Sequence, residues 1–236
     1  MARLIGLIGG MSWESSALYY RLLNQAMQRR LGGHHNAASV MVTLEFEPLL
    51  QAGAAGRWDE VADAIAQAGM RLKRAGAEFF LLTANTAHNF ASQVQAAVDL
   101  PLLHIGTPTV AALQAAGIAR AGLIGTRHVT GPGAYRDWYR SQGIELVPPP
   151  DDDRAALDAI IADELTQGRI DPRSRQRVLA IVDGMRLAGL QAVVIGCTEL
   201  PLLLEGAALP LAGYDTTRLH AEAAVALALD EDGGFD

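Results

Sequence analysis

A chain of 236 residues is long enough for one large domain or two small ones, each with its own hydrophobic core. The formal net charge of −7, with 19 Lys and Arg residues that form no basic cluster, argues against nucleic acid as a partner. No apolar run reaches the roughly 18–20 residues of a membrane span, and the apolar start is too short for a signal peptide, so we expect a cytoplasmic protein without membrane contact.

Short apolar runs closed by glycine mark the predicted strands, beginning with residues 5–10. Further strand candidates, in chain order, are residues 39–46, 79–83, 102–105, 121–126, 146–148, 192–196 and 209–212. Helical periodicity fills the gaps, with Asp153 as a candidate N-cap. It is clearest over residues 14–31, 58–75, 133–142, 153–167, 172–188 and 216–229. Strands that alternate with helices predict an α/β fold with mainly parallel sheets.

An internal repeat relates the two halves of the chain. A Met-Arg-Leu triplet occurs at Met70 and again at Met185, and each is followed by Ala-Gly and an apolar run. Counted from the Ala-Gly pair, Ala84 in the first copy falls at the position of Cys197 in the second. The repeat therefore places Ala84 where a second cysteine would stand.

The repeat predicts two pseudo-symmetric, doubly wound α/β domains. We place the N-terminal domain at residues 1–107 together with 215–236, and the C-terminal domain at residues 108–214. The final helix is expected to pack back on the first domain, and residues 230–236 to form a polar, frayed tail. Because ligands of doubly wound sheets bind beyond the carboxyl ends of strands, we expect the active site in the cleft between the domains.

Four polar turns follow predicted strands and could form such a site. They offer small hydroxyls, an amide and backbone N–H groups at helix N-termini, which suit a carboxylate ligand. Any one of them could equally be only a cap or a turn, because Ser, Thr, Asn and Gly are the residues that turns prefer. The four turns are residues 9–12, 84–86, 125–126 and 196–199.

Cys197, the single cysteine, is the candidate catalytic residue. It excludes an intrachain disulfide and any metal site with several cysteines. Backbone N–H groups and a helix dipole after a strand can lower the pKa of a thiol and give a thiolate base or nucleophile. The competing interpretation is a buried cysteine that acts as a small hydrophobe. Glu199 could hold or accept the thiol proton, or it could cap a helix.

The chain resembles the aspartate/glutamate racemase family at motifs that occur in the family's order. They are IGLIGGMSWESS at residues 5–16, Asn-Thr-Ala-His at 85–88, Gly-Thr-Arg at 125–127 and Gly-Cys-Thr-Glu at 196–199. The resemblance implies two α/β domains with the site between them, without pyridoxal phosphate or metal. It also implies two residues, usually cysteines, that flank the substrate α-carbon. One of them removes the α-proton, and the other protonates the opposite face.

By this resemblance Cys197 is the family's second acid/base, while Ala84 occupies the position of the first, where the family has Cys or sometimes Thr. The alanine side chain has no proton that it can donate or accept, so the predicted racemase of aspartate or glutamate is inactivated or works from one side. Thr83 should point to the other face of its strand. The resemblance also places residues at substrate-contacting or supporting positions: Met11, Ser12, Asn85, Thr86, Thr126, Thr198 and Glu199; Gln51 is a further candidate contact.

Two other functions stay open: a single-cysteine reaction such as decarboxylation, and non-catalytic binding of a small carboxylate. A second carboxylate of the substrate would favour a cation, but Arg57, Arg127 and Arg154 are each better explained as solvated surface charges. The absence of a G-x-G-x-x-G motif argues against a nicotinamide or flavin cofactor. A composition that is 50% hydrophobic favours a homodimer. Three histidines are interpreted as structural rather than metal-binding: His88, His104 and His220.

Overall fold

The computed structural model describes residues 2–229, so the tail expected at residues 230–236 lies outside the described part. The chain divides into two compact units. Unit 1 extends to Ile105 and resumes at His220, and unit 2 is Gly106–Leu219. The domain limits inferred from the repeat stay a prediction.

Unit 1 contains a parallel three-stranded sheet in the order β2-β1-β3. In the register of this sheet, Ile8 of the central strand pairs with Val42 on one side and with Leu82 on the other. The strands are β1 (Ile5–Gly9), β2 (Ser39–Thr43) and β3 (Phe79–Leu82). The helices up to residue 105 are α1 (Trp13–Leu31), α2 (Phe46–Ala54), α3 (Trp58–Arg74) and α4 (Ala91–Ala97), and a 3₁₀ turn covers Thr86–Phe90.

Both faces of this sheet are covered, which explains the uninterrupted apolar runs of β1 and β3. Phe79 and Leu81 pack with α1 in one hydrophobic cluster, whereas Phe80 and Leu82 pack with α3 in another. Alternate residues of a strand point to opposite faces, so a strand buried on both sides is apolar throughout. The amphipathic spacing of α3 suits this packing, because its buried positions recur every three or four residues: Val61, Ile65, Ala68 and Leu72.

Unit 2 contains a parallel four-stranded sheet in the order β5-β4-β6-β7. Its strands are β4 (Arg120–Gly125), β5 (Glu145–Val147), β6 (Ala192–Gly196) and β7 (Ala212–Asp215). Its helices are α5 (Gly106–Ala115), α6 (Arg127–Thr130), α7 (Ala134–Ser141), α8 (Asp151–Asp163), α9 (Pro172–Leu187) and α10 (Leu200–Leu203), with a 3₁₀ turn at Leu165–Gln167. The last helix, α11 (Thr216–Ala228), begins in unit 2, and five of its later residues pack in the α1 cluster of unit 1: Ala221, Ala224, Val225, Leu227 and Ala228.

β4 and β6 approach each other closely where they end. A β-carbon added to Gly125 would lie 2.6 Å from the carbonyl oxygen of Gly196, which is the paired residue on β6. No side chain fits there without moving the main chain, so glycine is required at this end of β4. The predicted α/β fold with parallel sheets in a two-unit chain is confirmed.

Four local predictions were wrong. The run at residues 102–105 forms only a bridge between Phe80 and Leu102, since α5 begins at residue 106. The strand predicted at 39–46 ends at residue 43, because the chain turns into α2. The strand predicted at 209–212 begins only at Ala212, which pairs with Ala192. Asp153 lies inside α8 and pairs with Arg177 at 2.6 Å; proline, whose fixed φ suits a helix start, occupies the N-cap position.

Candidate active site

Ala84 and Cys197 occupy equivalent register positions in the two sheets. In unit 1, Leu82 of β3 pairs with Ile8 of β1, and in unit 2, Ile195 of β6 pairs with Ile124 of β4. Ala84 stands two residues beyond Leu82, and Cys197 stands two residues beyond Ile195. The backbone pairing of each unit therefore agrees with the equivalence that the repeat predicts.

Cys197 forms a buried polar group with Thr198 and Glu199. Its thiol donates a hydrogen bond to Oε2 of Glu199 at 3.2 Å, and the Thr198 hydroxyl donates to the same oxygen at 2.7 Å. All three residues are buried. Glu199 stands at the N-cap position of α10 but makes no side-chain cap hydrogen bond. Of the two roles considered for Glu199, the structure therefore favours the partner of the thiol over the helix cap.

The pKa of Cys197 shifts in the direction opposite to the one expected from its position. Burial raises the pKa of the thiol well above its ordinary value, and the charge of Glu199 raises it further. The backbone N–H groups of Glu199 and Leu200 act in the other direction but do not outweigh burial. Since α10 spans only Leu200–Leu203, its dipole is small. Together with the hydrogen bond that the thiol donates to Glu199, this shift favours a protonated thiol over a thiolate.

Position 84 presents a buried methyl group to the apolar cluster that packs against α3. The neighbouring hydroxyl of Thr83 is fully buried on the β1 side, where it donates to the Ile8 carbonyl at 3.2 Å and lies 3.3 Å from Oγ of Ser16. Thr83 thus points away from the turn, as the alternation of the strand requires. Asn85 is buried at the start of the 3₁₀ turn, and Thr86 begins this turn half-buried.

The turn between β1 and α1 is joined to the turn after β3 within unit 1. Ser12 caps α1 and accepts a hydrogen bond from the Ser15 amide at 3.3 Å, while the hydroxyl of Ser15 donates to the carbonyl of Thr83. Met11 packs against the same apolar cluster as Ala84. Unit 1 therefore brings Met11 and Ser12 together with residues 84–86. The role of Ser15 was missed, because Ser residues in a first helical turn are ordinary capping companions.

In unit 2, Thr126 is the N-cap residue of α6 and directly follows Gly125, which pairs with Gly196. The strand register therefore places Thr126 beside the Cys197 turn. Its carbonyl accepts a hydrogen bond from the Thr130 hydroxyl at 3.0 Å.

Gln51, Arg57 and Arg127 are exposed, and Arg154 is partly exposed. Gln51 is exposed on α2 and donates to Glu47 of the same helix at 2.9 Å. Each arginine has an acidic partner: Arg57 with Glu60, Arg127 with Asp158, and Arg154 with Asp151. Asp158 is nearly buried and accepts from both the amide and the guanidinium of Arg127, an anchor that sequence reasoning missed because the two residues are distant in the chain.

Neither a membrane-spanning helix nor a cluster of metal-binding side chains occurs within residues 2–229. No helix there is long and apolar enough to cross a membrane. No group of three His, Cys, Asp or Glu side chains within the same residues is arranged to hold a metal ion.

Comparison with known proteins identifies the family. The sequence profile of the Asp/Glu/Hydantoin racemase family matches residues 8–224. The broad specificity amino-acid racemase RacX of Bacillus subtilis (strain 168) is 28% identical over 89 residues, which is 38% of this chain and 39% of RacX.

Two crystal structures are similar over nearly the whole chain. An Asp/Glu racemase candidate from Yersinia pestis is 39% identical with a TM-score of 0.88, covering 96% of this chain and 99% of that one. An aspartate racemase homologue from Pyrococcus horikoshii OT3 is 26% identical with a TM-score of 0.81, covering 97% and 100%. The resemblance to the racemase family is thus confirmed, and the chain belongs to the Asp/Glu/Hydantoin racemase family.

Proposed function

We propose that this chain is a cofactor-independent enzyme that acts at the α-carbon of an acidic amino acid, aspartate or glutamate, from one side. Cys197 is its acid/base, and Ala84 stands at the position that carries the partner acid/base in the racemases it resembles. The observation that carries the proposal is the equivalent register of these two residues, one with a thiol and the other with a methyl group.

The hydrogen bond from Cys197 to Glu199 supplies a route for the proton. When Glu199 accepts the thiol proton, the thiolate can take the α-proton, and the electron pair that remains is delocalised into the α-carboxylate. The return step gives a proton back to the same face of the α-carbon. We assign Thr198 to the orientation of Glu199, since it donates to the same carboxylate oxygen.

The remaining polar turns are proposed to bind the substrate. Asn85, Thr86 and Ser12 offer an amide and hydroxyls in unit 1, and Thr126 offers a hydroxyl in unit 2. Such donors stabilise the charge that develops on an α-carboxylate as the α-proton leaves. From the family resemblance alone, Met11 is proposed as an apolar contact of the substrate, and Gln51, which is exposed on α2, as a further contact.

The test compares proton exchange with racemisation. We expect the unmodified protein to exchange the α-proton of one enantiomer of aspartate or glutamate with deuterated water, followed by proton NMR, and to interconvert the enantiomers very slowly. Cys197→Ala should abolish the exchange. Ala84→Cys should raise the rate of racemisation, followed by chiral chromatography, by at least about 10²-fold, because general acid–base assistance is typically worth about 10²–10⁴-fold.

Ala87→Cys is the matched control, because Ala87 is buried in the same turn and the variant adds the same thiol three positions further on. It should leave racemisation slow. The proposal fails if Ala84→Cys folds normally yet shows neither racemisation nor deuterium uptake on any acidic amino acid.

One observation favours a second candidate, decarboxylation of a malonate-type acid. The Cys197 thiol donates a hydrogen bond to Glu199 and burial raises its pKa, which favours a proton donor at this position, and one donor on a single face is what this reaction needs. The bond from the α-carbon to one carboxylate breaks, carbon dioxide leaves, and the electron pair on the α-carbon takes the thiol proton. Release of carbon dioxide that is lost in Cys197→Ala, without exchange on amino acids, would select this reaction.

We also propose that the protein is a homodimer. The support is its half-apolar composition together with large apolar side chains that remain exposed on the single chain, among them Trp13 and Tyr20 of α1 and Leu187 of α9.

A further inference from the structure

Three histidine rings lie together in unit 1, and one of them contacts the main chain at Ala84. The ring of His88 meets that of His104 edge-on with centroids 4.7 Å apart, and that of His220 at 5.8 Å. His88 and His220 are fully buried, and the phenol of Tyr19 reaches His220 from α1. A cluster of buried polar rings is costly unless each ring nitrogen has a partner.

The partners of His88 determine its tautomer. Nδ1 lies 3.0 Å from the carbonyl oxygen of Ala84, which can only accept, so Nδ1 carries the hydrogen. Nε2 lies 3.1 Å from the backbone N–H of Ile105, which can only donate, so Nε2 offers its lone pair. The ring is therefore neutral, because a proton on Nε2 would face the N–H of Ile105.

His220 also forms a hydrogen bond with the segment that contains Ile105. Its Nε2 donates to the carbonyl of Leu103 at 2.9 Å, and its Nδ1 accepts from the Tyr19 hydroxyl at 2.8 Å. The segment of residues 103–105 is thus held by two histidines. The His88 ring links this segment to the carbonyl of Ala84, and so it anchors the chain directly after β3 to another segment of unit 1.

The turn at Ala84 is fixed at two consecutive carbonyl groups. Ser15 donates to the carbonyl of Thr83, and His88 donates to the carbonyl of Ala84. These two bonds orient the peptide planes on both sides of residue 84 and hence the start of the turn that contains Asn85. Unit 2 has no counterpart of this histidine, because the residue at the matching distance from Cys197 is Pro201.

We propose that His88 is a positioning residue of the candidate active site. Through its bond to the carbonyl of Ala84, it holds Asn85 and Thr86 in the orientation that binds the α-carboxylate of the substrate. This inference rests on the proposed function for its substrate, but the geometry on which it depends lies wholly within unit 1.

Two variants separate the two bonds of His88. The side-chain amide of Asn reaches the position of Nδ1, so His88→Asn can still donate to the carbonyl of Ala84 while losing the bond from Ile105. The side-chain amide of Gln reaches the position of Nε2, so His88→Gln can still accept from Ile105 while losing the bond to Ala84. Both variants replace a buried aromatic ring by an amide, so each is the other's control for general destabilisation.

We expect His88→Gln to lower kcat/KM for α-proton exchange about 10- to 100-fold more than His88→Asn, because even a small displacement of positioned groups slows a reaction strongly. Much of the loss should appear as a higher KM, since the displaced residues bind the substrate. Imidazole ¹⁵N shifts of the unmodified protein should report the Nδ1–H tautomer at His88. The amide resonances of Asn85 and Thr86 should move strongly in His88→Gln and little in His88→Asn.

The exchange assay tests the proposed function, whereas the amide resonances test the positioning role, so either hypothesis can fail without the other. If the unmodified protein exchanges no α-proton, the proposed function is wrong, but the amide resonances still test the positioning role. Equal displacement of Asn85 and Thr86 in both variants, or a larger effect of His88→Asn, would overturn the inference. So would an Nε2–H tautomer at His88.

Discussion

The histidine cluster makes the stability of the fold dependent on pH in a predictable direction. Burial lowers the pKa of His220 to about 4 and the pKa of His88 well below its ordinary value. In the unfolded chain, both side chains take up a proton as the pH falls through about 6.5. Between pH 6.5 and the lower folded-state values, the unfolded chain binds more protons. The free energy of unfolding therefore falls as the pH is lowered through this window.

The size of the loss follows from the pKa difference. One pH unit below the unfolded pKa costs about 1.4 kcal/mol per histidine that stays neutral in the folded state. Between pH 6.5 and pH 5, the folded-state pKa of about 4 at His220 should cost the protein about 2 kcal/mol of its free energy of unfolding, and His88 adds a loss in the same direction. This is a large part of the roughly 5–15 kcal/mol that keeps a typical domain folded.

Urea denaturation at pH 7, 6 and 5 measures this dependence, and the variant His220→Gln isolates one histidine. The Gln amide can still donate to the Leu103 carbonyl, so the variant should be less stable than the parent at pH 7 but lose about 2 kcal/mol less between pH 6.5 and pH 5. His35→Asn is the control, because His35 is exposed. If His220→Gln loses as much stability as the parent over this range, His220 is protonated in the folded protein and the reasoning is refuted.

Two further predictions concern packing and assembly. Gly125→Ala should lower the free energy of unfolding by about 1–3 kcal/mol, because its β-carbon would lie 2.6 Å from a main-chain oxygen of β6. Gly184→Ala should raise the free energy of unfolding by about 0.5–1 kcal/mol, because a β-carbon at this position of α9 meets no other atom and alanine favours a helix over glycine. Equal effects of these two variants in urea denaturation would contradict the close approach of β4 and β6. Light scattering at micromolar concentration should give twice the mass of one chain, and the mass of a single chain would exclude the homodimer.

Local sequence patterns predicted most of the strands and helices. They failed at residues 102–105, where backbone groups form hydrogen bonds with side chains from other parts of the chain. The uninterrupted apolar runs of β1, β3 and β6 predict buried strands, because a strand that is covered on both faces is apolar throughout. The run at residues 102–105 has a similar composition, yet it makes a single bridge because its backbone bonds are shared with histidine rings. Such partners lie far away in the chain and leave no periodic signal.

The sequence by itself determined the family, the α/β class and the equivalence of Ala84 with Cys197, because these depend on residue types at fixed spacing along the chain. Only the tertiary structure shows the partners of the Cys197 thiol and of the His88 ring, on which the direction of the thiol pKa and the proposed role of His88 depend. The thiol pKa depends on how completely burial removes water from the thiol and on which carboxylate lies nearby. Both depend on the three-dimensional packing of the chain and not on the spacing of residues in the sequence. For the same reason, the 17-residue separation between His88 and Ile105 becomes a hydrogen bond only once β3 and its neighbours have packed.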